Sequence, residues 1–265
     1  MSTPALQRLR ERFPEAQLSL LTAEKLAPLW QHHPSLDGIL TFGPDESPWS
    51  VARRLRPQGF DLALVLPNSP RSALDAWLAR IPHRTGYARP WRTWLLNQPV
   101  APRPGHIEMR KRSLGEIRRL VRSWAPGAQE PSELAARAPG QAHHIYQYLH
   151  LVAALGGCPE PLPPLLTVTP GELSEVAAKF GLEKELSSGR AVFGLNPGAE
   201  YGPAKRWPRE RFIAAAKAIQ QSTQCLWLLL GGPSDRPAAA AIQAGLGAQA
   251  SVRLLAGQTS LRELM

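Results

Sequence analysis

The sequence predicts an α/β fold in which βαβ units build parallel sheets. Short apolar runs alternate with helical patterns along most of the chain. The runs at residues 60–66 (FDLALVL) and 225–230 (CLWLLL) are almost continuously apolar, as in parallel strands that are buried on both faces. A loop of small and polar residues directly follows each run, which is where an open α/β sheet binds its ligands.

The composition indicates a globular protein that is long enough for one large or two ordinary domains. The chain has 265 residues, 43% of them hydrophobic, and no apolar run of about 18 residues that would span a membrane. The N-terminal residues lack the apolar centre of a signal peptide. Two cysteines outside any metal-binding spacing argue against a disulfide framework, so we expect a cytoplasmic protein.

The net charge of +10 is explained by a polyanionic partner or by arginines on solvated helix faces. Nucleic acid, an anionic lipid surface and a phosphorylated substrate all fit this charge. No recognition-helix, RNA-binding or zinc-finger pattern occurs, so we expect no nucleic-acid partner. The histidine pairs at residues 32–33 and 143–144 lack carboxylate or cysteine companions, so we predict no metal site.

The first half of the chain alternates helices and strands. Leu6, Leu9 and Phe13 follow one another at helical spacing, after a Thr3-Pro4 start that suits a helix cap and first turn. The predicted elements are a helix over residues 3–13, a strand over 17–21, a helix over 23–32, a strand over 38–42, a helix over 47–56, a strand over 60–66 and a helix over 70–80.

Three polar side chains follow the strand predicted at residues 60–66. Asn68, Ser69 and Arg71 stand at its carboxyl end, where a ligand site is expected. A helix cap followed by a solvated arginine explains the same residues. A short segment after the next helix, residues 81–87, contains Arg84 and Gly86.

The middle of the chain contains a basic amphipathic helix, RKRSLGEIRRLVRSW. Leu114, Ile117, Leu120 and Val121 form its apolar stripe. Such a helix packs one face on its own domain or contacts an anionic membrane surface, and we favour packing.

The second half repeats the α/β pattern after a stiff connection. The run PEPLPP at residues 159–164 predicts a boundary between domains 1–160 and 161–265. Thr169 and Glu172 fit a capping box at the start of a helix. The other predicted elements are a strand over residues 165–168, a helix over 144–155, a strand over 191–195, a helix over 208–221, a strand over 225–230, an alanine-rich helix after residue 235 and a helix over 259–265.

The segment at residues 191–208, AVFGLNPGAEYGPAKRWP, predicts an anion-binding loop. It runs from a strand through small residues to two cations and a helix start, an arrangement that suits a phosphate group. Its spacing is that of neither a Walker A loop nor a GxGxxG fingerprint. A polar strand-to-helix connection remains the alternative. The residues concerned are Asn196, Gly198, Gly202, Lys205 and Arg206.

A second loop, GGPSD at residues 231–235, follows the next buried strand. Ser234 and Asp235 could accept ribose hydroxyl groups, although a helix cap also explains Asp235. Since neighbouring parallel strands end at one edge of a sheet, we expect both loops to converge on one nucleotide site.

Three segments, LNPGAEYGPAKRWP, VLPNSPRSALDAWLARIPHRTGY and LLLGGPSD, resemble the heptosyltransferases of glycosyltransferase family 9. The resemblance implies a GT-B fold with two Rossmann-like domains. It also implies an inverting transfer of heptose from ADP-heptose to a lipid A-core acceptor, at the cytoplasmic face of the inner membrane. The nucleotide sugar would be a substrate, and no cofactor is expected.

The resemblance also assigns roles to residues. Lys205 would be the catalytic residue that neutralises the donor diphosphate, with Arg206 sharing the task. Asn196, Gly198 and Gly202 would shape the donor loop, and Ser234 and Asp235 would lie near adenosine. The residues expected to face the anionic acceptor are Asn68, Ser69, Arg71 and Arg84.

The sequence departs from the family pattern at both ends. Family members open with a strand and an aspartate-bearing loop before the helix that starts here at Thr3, and they continue to an Asp-Ser/Thr-Gly-x-x-His motif. We therefore expect a truncated family member, with the general base upstream of Met1 and with little stability or activity on its own. The alternatives are a family 9 transferase for another sugar or acceptor, and a non-catalytic remnant that binds a sugar nucleotide.

Overall fold

The computed structural model describes residues 1–103, 113–123, 143–199 and 205–265. The helices in these ranges are α1 (Thr3–Arg12), α2 (Pro48–Leu55), α3 (Pro70–Leu78), α4 (Leu114–Ser123), α5 (Ile145–Ala153), α6 (Pro170–Phe180), α7 (Glu183–Ser187), α8 (Arg209–Thr223) and α9 (Arg236–Leu246). The strands are β1 (Ser19–Ala23), β2 (Gly38–Phe42), β3 (Leu62–Val65), β4 (His83–Tyr87), β5 (Gln98–Val100), β6 (Val192–Leu195), β7 (Leu226–Leu229) and β8 (Ser251–Leu254).

Contacts divide the chain into two compact units. Unit 1 contains Met1–Glu24 and His33–Leu165, and unit 2 contains Lys25–His32 and Leu166–Met265. The predicted domain boundary between residues 160 and 161 stays a prediction. Hydrogen bonds tie the proline-rich run to α1 within unit 1, from Arg8 Nε to the carbonyl of Glu160 at 2.8 Å and from Gln7 Nε2 to that of Pro163 at 3.1 Å.

Unit 1 contains two parallel sheets, β1-β2 and β3-β4-β5. Helices α2 and α3 cover them with a shared apolar core, in which Val51 and Leu55 of α2 meet Val65 of β3 and Ala73 of α3. Partly buried side chains from β1 and β2 pack on the same core. Helices α1 and α5 pack together separately, with their apolar side chains buried.

Unit 2 is a three-stranded parallel sheet with helices on both faces. Alternate residues of its strands point to opposite sides because side chains alternate along a strand. Trp227 and Leu229 contribute to the core beside α8 and α9, whereas Leu226 and Leu228 pack against α6. This arrangement buries β7 on both faces, as its continuous apolar run predicts.

Proline explains one difference between the predicted and observed elements. The segment predicted as an α-helix over residues 23–32 forms a 3₁₀ helix, Glu24–Trp30, with Pro28 inside it. Proline at residue 28 removes the N–H that would bond the carbonyl of Glu24 in an α-helix, and its ring would clash with that carbonyl. The preceding strand starts two residues later than predicted, at Ser19.

Two elements predicted in the second half are absent from the described structure. Residues 165–168 form no strand, and the backbone N–H of Leu165 donates to Thr3 Oγ1 at 3.2 Å. Residues 259–265 form turns rather than a helix, with a turn closed by Leu264 N donating to Ser260 O at 3.1 Å.

Helix α4 also differs from the preferred interpretation. Leu114 and Ile117 of the predicted apolar stripe are exposed and are not packed on the domain. The side chains of Leu120 and Val121 lie outside the described residues. None of the helices described by the structure has the length and apolar composition of a membrane-spanning segment.

Candidate functional site

The carboxyl ends of β6 and β7 bring the two predicted loops together in unit 2. The strands pair in parallel register with Leu195 beside Leu229, and the N–H of Leu230 donates to the carbonyl of Leu195 at 2.8 Å. The loop at residues 196–199 and the loop at 231–235 therefore start side by side. This is the convergence that the sequence predicts.

Asp235 joins the two loops. Its Oδ2 accepts a hydrogen bond from the N–H of Gly232 at 3.0 Å. Its carboxylate also lies so close to the Cα of Gly198 that any Cβ on residue 198 would overlap with it. A side chain at residue 198 would therefore require the Asp235 carboxylate to move.

The loop after β6 starts with a turn, and two exposed cations precede α8. Asn196 Oδ1 accepts a hydrogen bond from the N–H of Gly198 at 3.2 Å, which closes a tight turn after β6. Lys205 and Arg206 are exposed in front of α8, and Arg206 Nη2 lies 3.5 Å from the carbonyl of Ala199. Gly202 lies outside the described residues.

A third loop, which the sequence analysis missed, reaches the same edge after β8. The N–H of Gly257 donates to the carbonyl of Gly231 at 2.9 Å. Gly257 has a φ of +75°, and a Cβ there would come within 3.0 Å of Pro233 Cα. A short apolar run ending in Leu254, Leu255, Ala256 and Gly257 was the available signal, since it repeats the strand-then-glycine pattern of β7.

Three of the predicted acceptor residues lie together at the carboxyl end of β3 in unit 1. Asn68 and Ser69 are exposed, and Ser69 caps α3 by accepting a hydrogen bond from the N–H of Ser72 at 3.3 Å. Arg71 donates to the backbone carbonyl of Glu46 and lies over the ring of Phe42. Both interpretations of this segment, helix cap and polar edge, are compatible with these contacts.

Arg84 lies away from these residues. It is the second residue of β4, near the amino end of the strand, and Arg84 Nε donates to the carbonyl of Leu95 at 2.8 Å while Nη1 donates to that of Ile81. The structure therefore does not bring its guanidinium to the loop at residues 67–69. Its role at the acceptor stays a prediction.

Arg92 is buried beneath the loop that follows β3. The residue is 0% exposed, and Nη1 donates to the carbonyl of Pro67 at 2.6 Å. Within the described part of the chain, its Nε and Nη2 have no hydrogen-bond partner. Burial and the nearby charge of Arg89 lower the pKa of Arg92. Gly86 makes room for the guanidinium, since a Cβ there would lie 2.8 Å from Nη2.

No sequence signal separates Arg92 from the other arginines, because its burial depends on the fold around it. Among the described residues, no cluster of three histidine, cysteine or acidic side chains is arranged to hold a metal ion.

Comparison with protein families finds a match to the model described as glycosyltransferase family 9 (heptosyltransferase), over residues 48–114 and 129–265. Lipopolysaccharide heptosyltransferase 2 of Salmonella typhimurium is 32% identical over 273 residues, which cover 99% of this chain and 69% of that protein.

Two solved structures are similar along nearly the whole chain. A structure of the Escherichia coli ADP-heptose lipopolysaccharide heptosyltransferase II superposes with a TM-score of 0.71 at 28% identity, covering 99% of this chain and 70% of the other. A family 9 glycosyltransferase from Veillonella parvula superposes with a TM-score of 0.75 at 19% identity, covering 99% and 66%. These likenesses confirm the predicted α/β class and the GT-B fold. The roles of individual side chains stay predictions.

Proposed function

The chain belongs to glycosyltransferase family 9, and on that premise we propose that it transfers heptose from ADP-heptose to an anionic lipid A-core acceptor in lipopolysaccharide core biosynthesis. Inversion at the sugar carbon is part of the proposal. The observation that carries it is the convergence of the loops after β6 and β7, joined by the contact between Gly198 and Asp235. The names of the Salmonella typhimurium and Escherichia coli relatives support heptose as the sugar and ADP-heptose as the donor.

Lys205 and Arg206 would bind the donor diphosphate. Both are exposed and stand directly before α8, whose unpaired N–H groups attract anions at its start. Negative charge grows on ADP as the bond to the sugar breaks, and fixed cations stabilise that charge most where water is excluded. We propose on this ground that transfer needs no metal ion.

Asp235 would hold the ribose. Its Oδ2 is bound to Gly232, and among the described residues no other hydrogen bond to this carboxylate occurs, so Oδ1 is available to a ribose hydroxyl. Ser234, exposed next to it, would accept or donate a second bond. Asn196 and Gly198 would keep the donor loop close enough for the diphosphate to approach the backbone.

The acceptor would bind at the loop after β3. Asn68 and Ser69 offer exposed polar groups there, and the guanidinium of Arg71 adds positive charge for an anionic sugar. Backbone carbonyls hold Nε and Nη1 of Arg84, so this residue would contribute to acceptor binding mainly through its positive charge. The proposed acceptor is embedded in a bilayer. We therefore propose that the enzyme works as a peripheral protein, at the cytoplasmic face of the inner membrane.

Replacement of Lys205 tests the donor assignment. We expect Lys205→Ala to lower turnover about 10²- to 10³-fold, the size typical of losing one group that stabilises developing charge. Lys217→Ala is the matched control, since Lys217 is an exposed lysine within α8. Heptose transfer is measured with ADP-heptose and the lipid A-core acceptor, and ADP affinity is measured by titration calorimetry.

The outcomes separate the alternatives. Turnover of Lys205→Ala within a few-fold of wild type would refute the diphosphate role. Tight ADP binding by wild type without any transfer would favour a binding remnant over an enzyme. Transfer abolished by a chelator would refute the metal-independent reaction.

A further inference from the structure

Unit 1 contains a cavity on the face of the sheet β3-β4-β5 that lies opposite its apolar core. Ala63 and Val65 of β3 pack in that core, and alternate residues of a strand point to opposite faces. Leu62 therefore points to the other face, where it lines the cavity. The cavity is open to solvent and has a volume of about 530 Å³, which lies within the range of about 300–1,000 Å³ that is usual for small-molecule sites.

The lining of this cavity combines apolar walls with polar side chains. The polar side chains are those of His83, Thr85 and Gln98, and we call the site the Thr85 cavity. Its apolar walls include Leu62, Val100 and Leu155. Among the described residues, no lysine, arginine, aspartate or glutamate lines it. Apolar walls with a few fixed polar groups are typical of sites that bind small molecules.

A chain of hydrogen bonds orients the three polar side chains. Thr85 lies beside Gln98 in the register of β4 and β5, and Thr85 Oγ1 donates to Gln98 Oε1 at 2.7 Å. Gln98 Nε2 lies 3.3 Å from His83 Nδ1. Because an amide nitrogen only donates, Nδ1 is the acceptor of this bond, and the neutral ring carries its proton on Nε2. The chain therefore runs in one direction, from Thr85 through Gln98 to His83.

This direction determines which hydrogen-bonding groups a ligand would meet. Thr85 gives its one proton to Gln98, so the lone pairs of Oγ1 stay available as acceptors. In the part of the chain that the structure describes, no hydrogen bond uses the second N–H of Gln98 or Nε2 of His83. The cavity thus offers one acceptor and two donors beside apolar walls. A charged ligand group would lose its hydration there without gaining a counter-charge.

We propose that the Thr85 cavity binds a small uncharged molecule that carries a carboxamide on an apolar ring. The carbonyl oxygen of a carboxamide accepts from Gln98 or His83, and its N–H donates to Thr85 Oγ1. The ring packs on the apolar walls. A carboxylate has the same shape but lacks the N–H donor and carries a charge, and a purely apolar molecule would displace water from the three polar groups without replacing its hydrogen bonds.

The Thr85 cavity is separate from both edges to which we assign substrates. His83 and Gln98 are the first residues of β4 and β5, at the amino edge of the parallel sheet. The loop assigned to the acceptor follows the carboxyl end of β3, and the loops assigned to the donor belong to unit 2. The carboxamide site is therefore independent of the proposed transfer reaction.

The test uses the purified 265-residue chain and three probes of similar size: benzamide, benzoate and toluene. Saturation-transfer-difference NMR titrations measure their affinities. We expect benzamide to bind with a Kd of about 1 mM, as suits a ligand with so few atoms. Benzoate and toluene should each bind at least about tenfold more weakly, because one is charged and the other has no hydrogen-bonding group. Saturating ADP should leave the affinity for benzamide unchanged.

Substitutions locate the bound probe. Thr85→Val keeps the side-chain shape but removes the acceptor, so it should weaken benzamide binding about 2- to 10-fold without weakening toluene binding. Gln98→Leu should weaken benzamide similarly, and its exposed position makes it the second variant if Thr85→Val fails to fold. Ala154→Trp should fill the cavity and block benzamide and toluene alike. Thr41→Val is the matched control, since Thr41 lies in β2, outside the cavity.

The outcomes either support or overturn the proposal. Absence of saturable benzamide binding by wild type up to about 10 mM, or binding of benzoate as tight as that of benzamide, would overturn it. Displacement of benzamide by ADP, or a loss in Thr41→Val equal to that in Thr85→Val, would place the probe elsewhere and overturn it as well. Circular dichroism melts that match wild type would show that lost binding is not a loss of fold. Benzamide binding by wild type without any heptose transfer would refute the transferase and leave the carboxamide site standing.

Discussion

At the scale of the residue, the positions of Gly198 and Asp235 are linked by a close contact between their two loops. The carboxylate of Asp235 fills the space that a side chain at residue 198 would need, and it binds the N–H of Gly232 in its own loop. Glycine is favoured here by the contact with Asp235 and not by a left-handed backbone, since no positive φ occurs at Gly198. The loop after β6, to which we assign the donor, therefore contacts the loop after β7 through this pair of residues.

Substitution of Gly198 tests this coupling. Gly198→Ala should weaken ADP binding up to about 100-fold, because a Cβ overlapping Asp235 displaces the loop by a distance that matters for binding geometry. Adding Asp235→Ala removes the overlap, so the double variant should bind ADP no more weakly than Asp235→Ala alone. Calorimetric titration of the three variants gives the coupling energy.

Gly232→Ala is the control for this cycle. A Cβ at Gly232 makes only an ordinary contact, 3.7 Å from Asp235 Oδ2, and the N–H donor is retained. Its ADP affinity should stay close to wild type. The coupling would be contradicted if the loss of ADP-binding free energy in the double variant equalled the sum of the losses in Gly198→Ala and Asp235→Ala.

We expect the substitution Arg92→Met to maintain or raise stability while it weakens binding of the acceptor. Its buried Nε and Nη2 find no partner among the described residues, and removing a poorly paired buried charge in favour of an apolar side chain of similar size is often neutral or stabilising. We expect Arg92→Met to leave the free energy of unfolding unchanged or to raise it by about 1–4 kcal/mol. The loop at Asn68 loses its anchor at the Pro67 carbonyl, so KM for the acceptor should rise.

Arg92→Ala separates packing from charge. It removes the same charge but also the side-chain volume, and the cavity should cost about 2–5 kcal/mol in urea unfolding. If Arg92→Met were as destabilised as Arg92→Ala, the guanidinium would be a net stabilising group and our account of it would be wrong.

At the scale of the element, α6 is fixed by charge as well as by its cap. Thr169 and Glu172 form a capping box at its start. Glu172 also makes an ion pair with Arg262 that uses both carboxylate oxygens, at 2.8 and 2.7 Å. The Arg262 guanidinium and the Thr169 N–H together hold the pKa of Glu172 at about 2, below its ordinary value of 4.5.

Because of this lowered pKa, the free energy of unfolding of unit 2 should depend on pH in the acid range. The ion pair is fully formed above about pH 4.5, and its contribution is lost as the pH falls towards 2, where Glu172 takes up a proton. Glu172→Gln keeps a capping-box side chain but removes the charge. It should therefore lower the urea midpoint at pH 7 and make little difference near pH 2, as followed by tryptophan fluorescence, to which buried Trp227 of unit 2 contributes.

Glu175→Gln on the same helix is the control, because Glu175 is exposed and forms no ion pair among the described residues. Its urea midpoint should match wild type at both pH values. A midpoint difference for Glu172→Gln that persists unchanged at pH 2 would show that the pair with Arg262 is not its source.

These elements also show which features the sequence could predict. The capping box and the two loops after buried strands are local patterns, and the structure contains them where predicted. The pairing of Glu172 with Arg262 joins residues 90 positions apart, and the burial of Arg92 depends on strands folded around Gly86. The predicted strand over residues 165–168 was wrong, and the N–H of Leu165 bonds to Thr3, 162 positions away, a contact that no local pattern indicates.

At the scale of the whole molecule, each unit has its own apolar core. One core lies between α2, α3 and β3 in unit 1, and another lies between α8, α9 and the sheet of unit 2. The predicted donor residues all belong to unit 2, and the predicted acceptor residues all belong to unit 1. A ligand that binds to one unit should therefore stabilise that unit more than the other.

Hydrogen exchange in the presence of ADP tests this division. ADP at about 100 times its dissociation constant should raise the free energy of unfolding of the unit that binds it by about 2.7 kcal/mol, provided that the unfolded unit does not bind ADP. Amides that exchange through global unfolding of that unit should slow accordingly. We expect this protection in the amides of β6, β7 and β8 and little change in those of β3, β4 and β5, because the loops that would hold the diphosphate and ribose follow strands of unit 2. AMP, which lacks the diphosphate, and Lys205→Ala should both reduce the protection. Equal protection of both sheets would mean that the units unfold together, whereas protection of the unit 1 sheet alone would place the nucleotide on the side assigned to the acceptor.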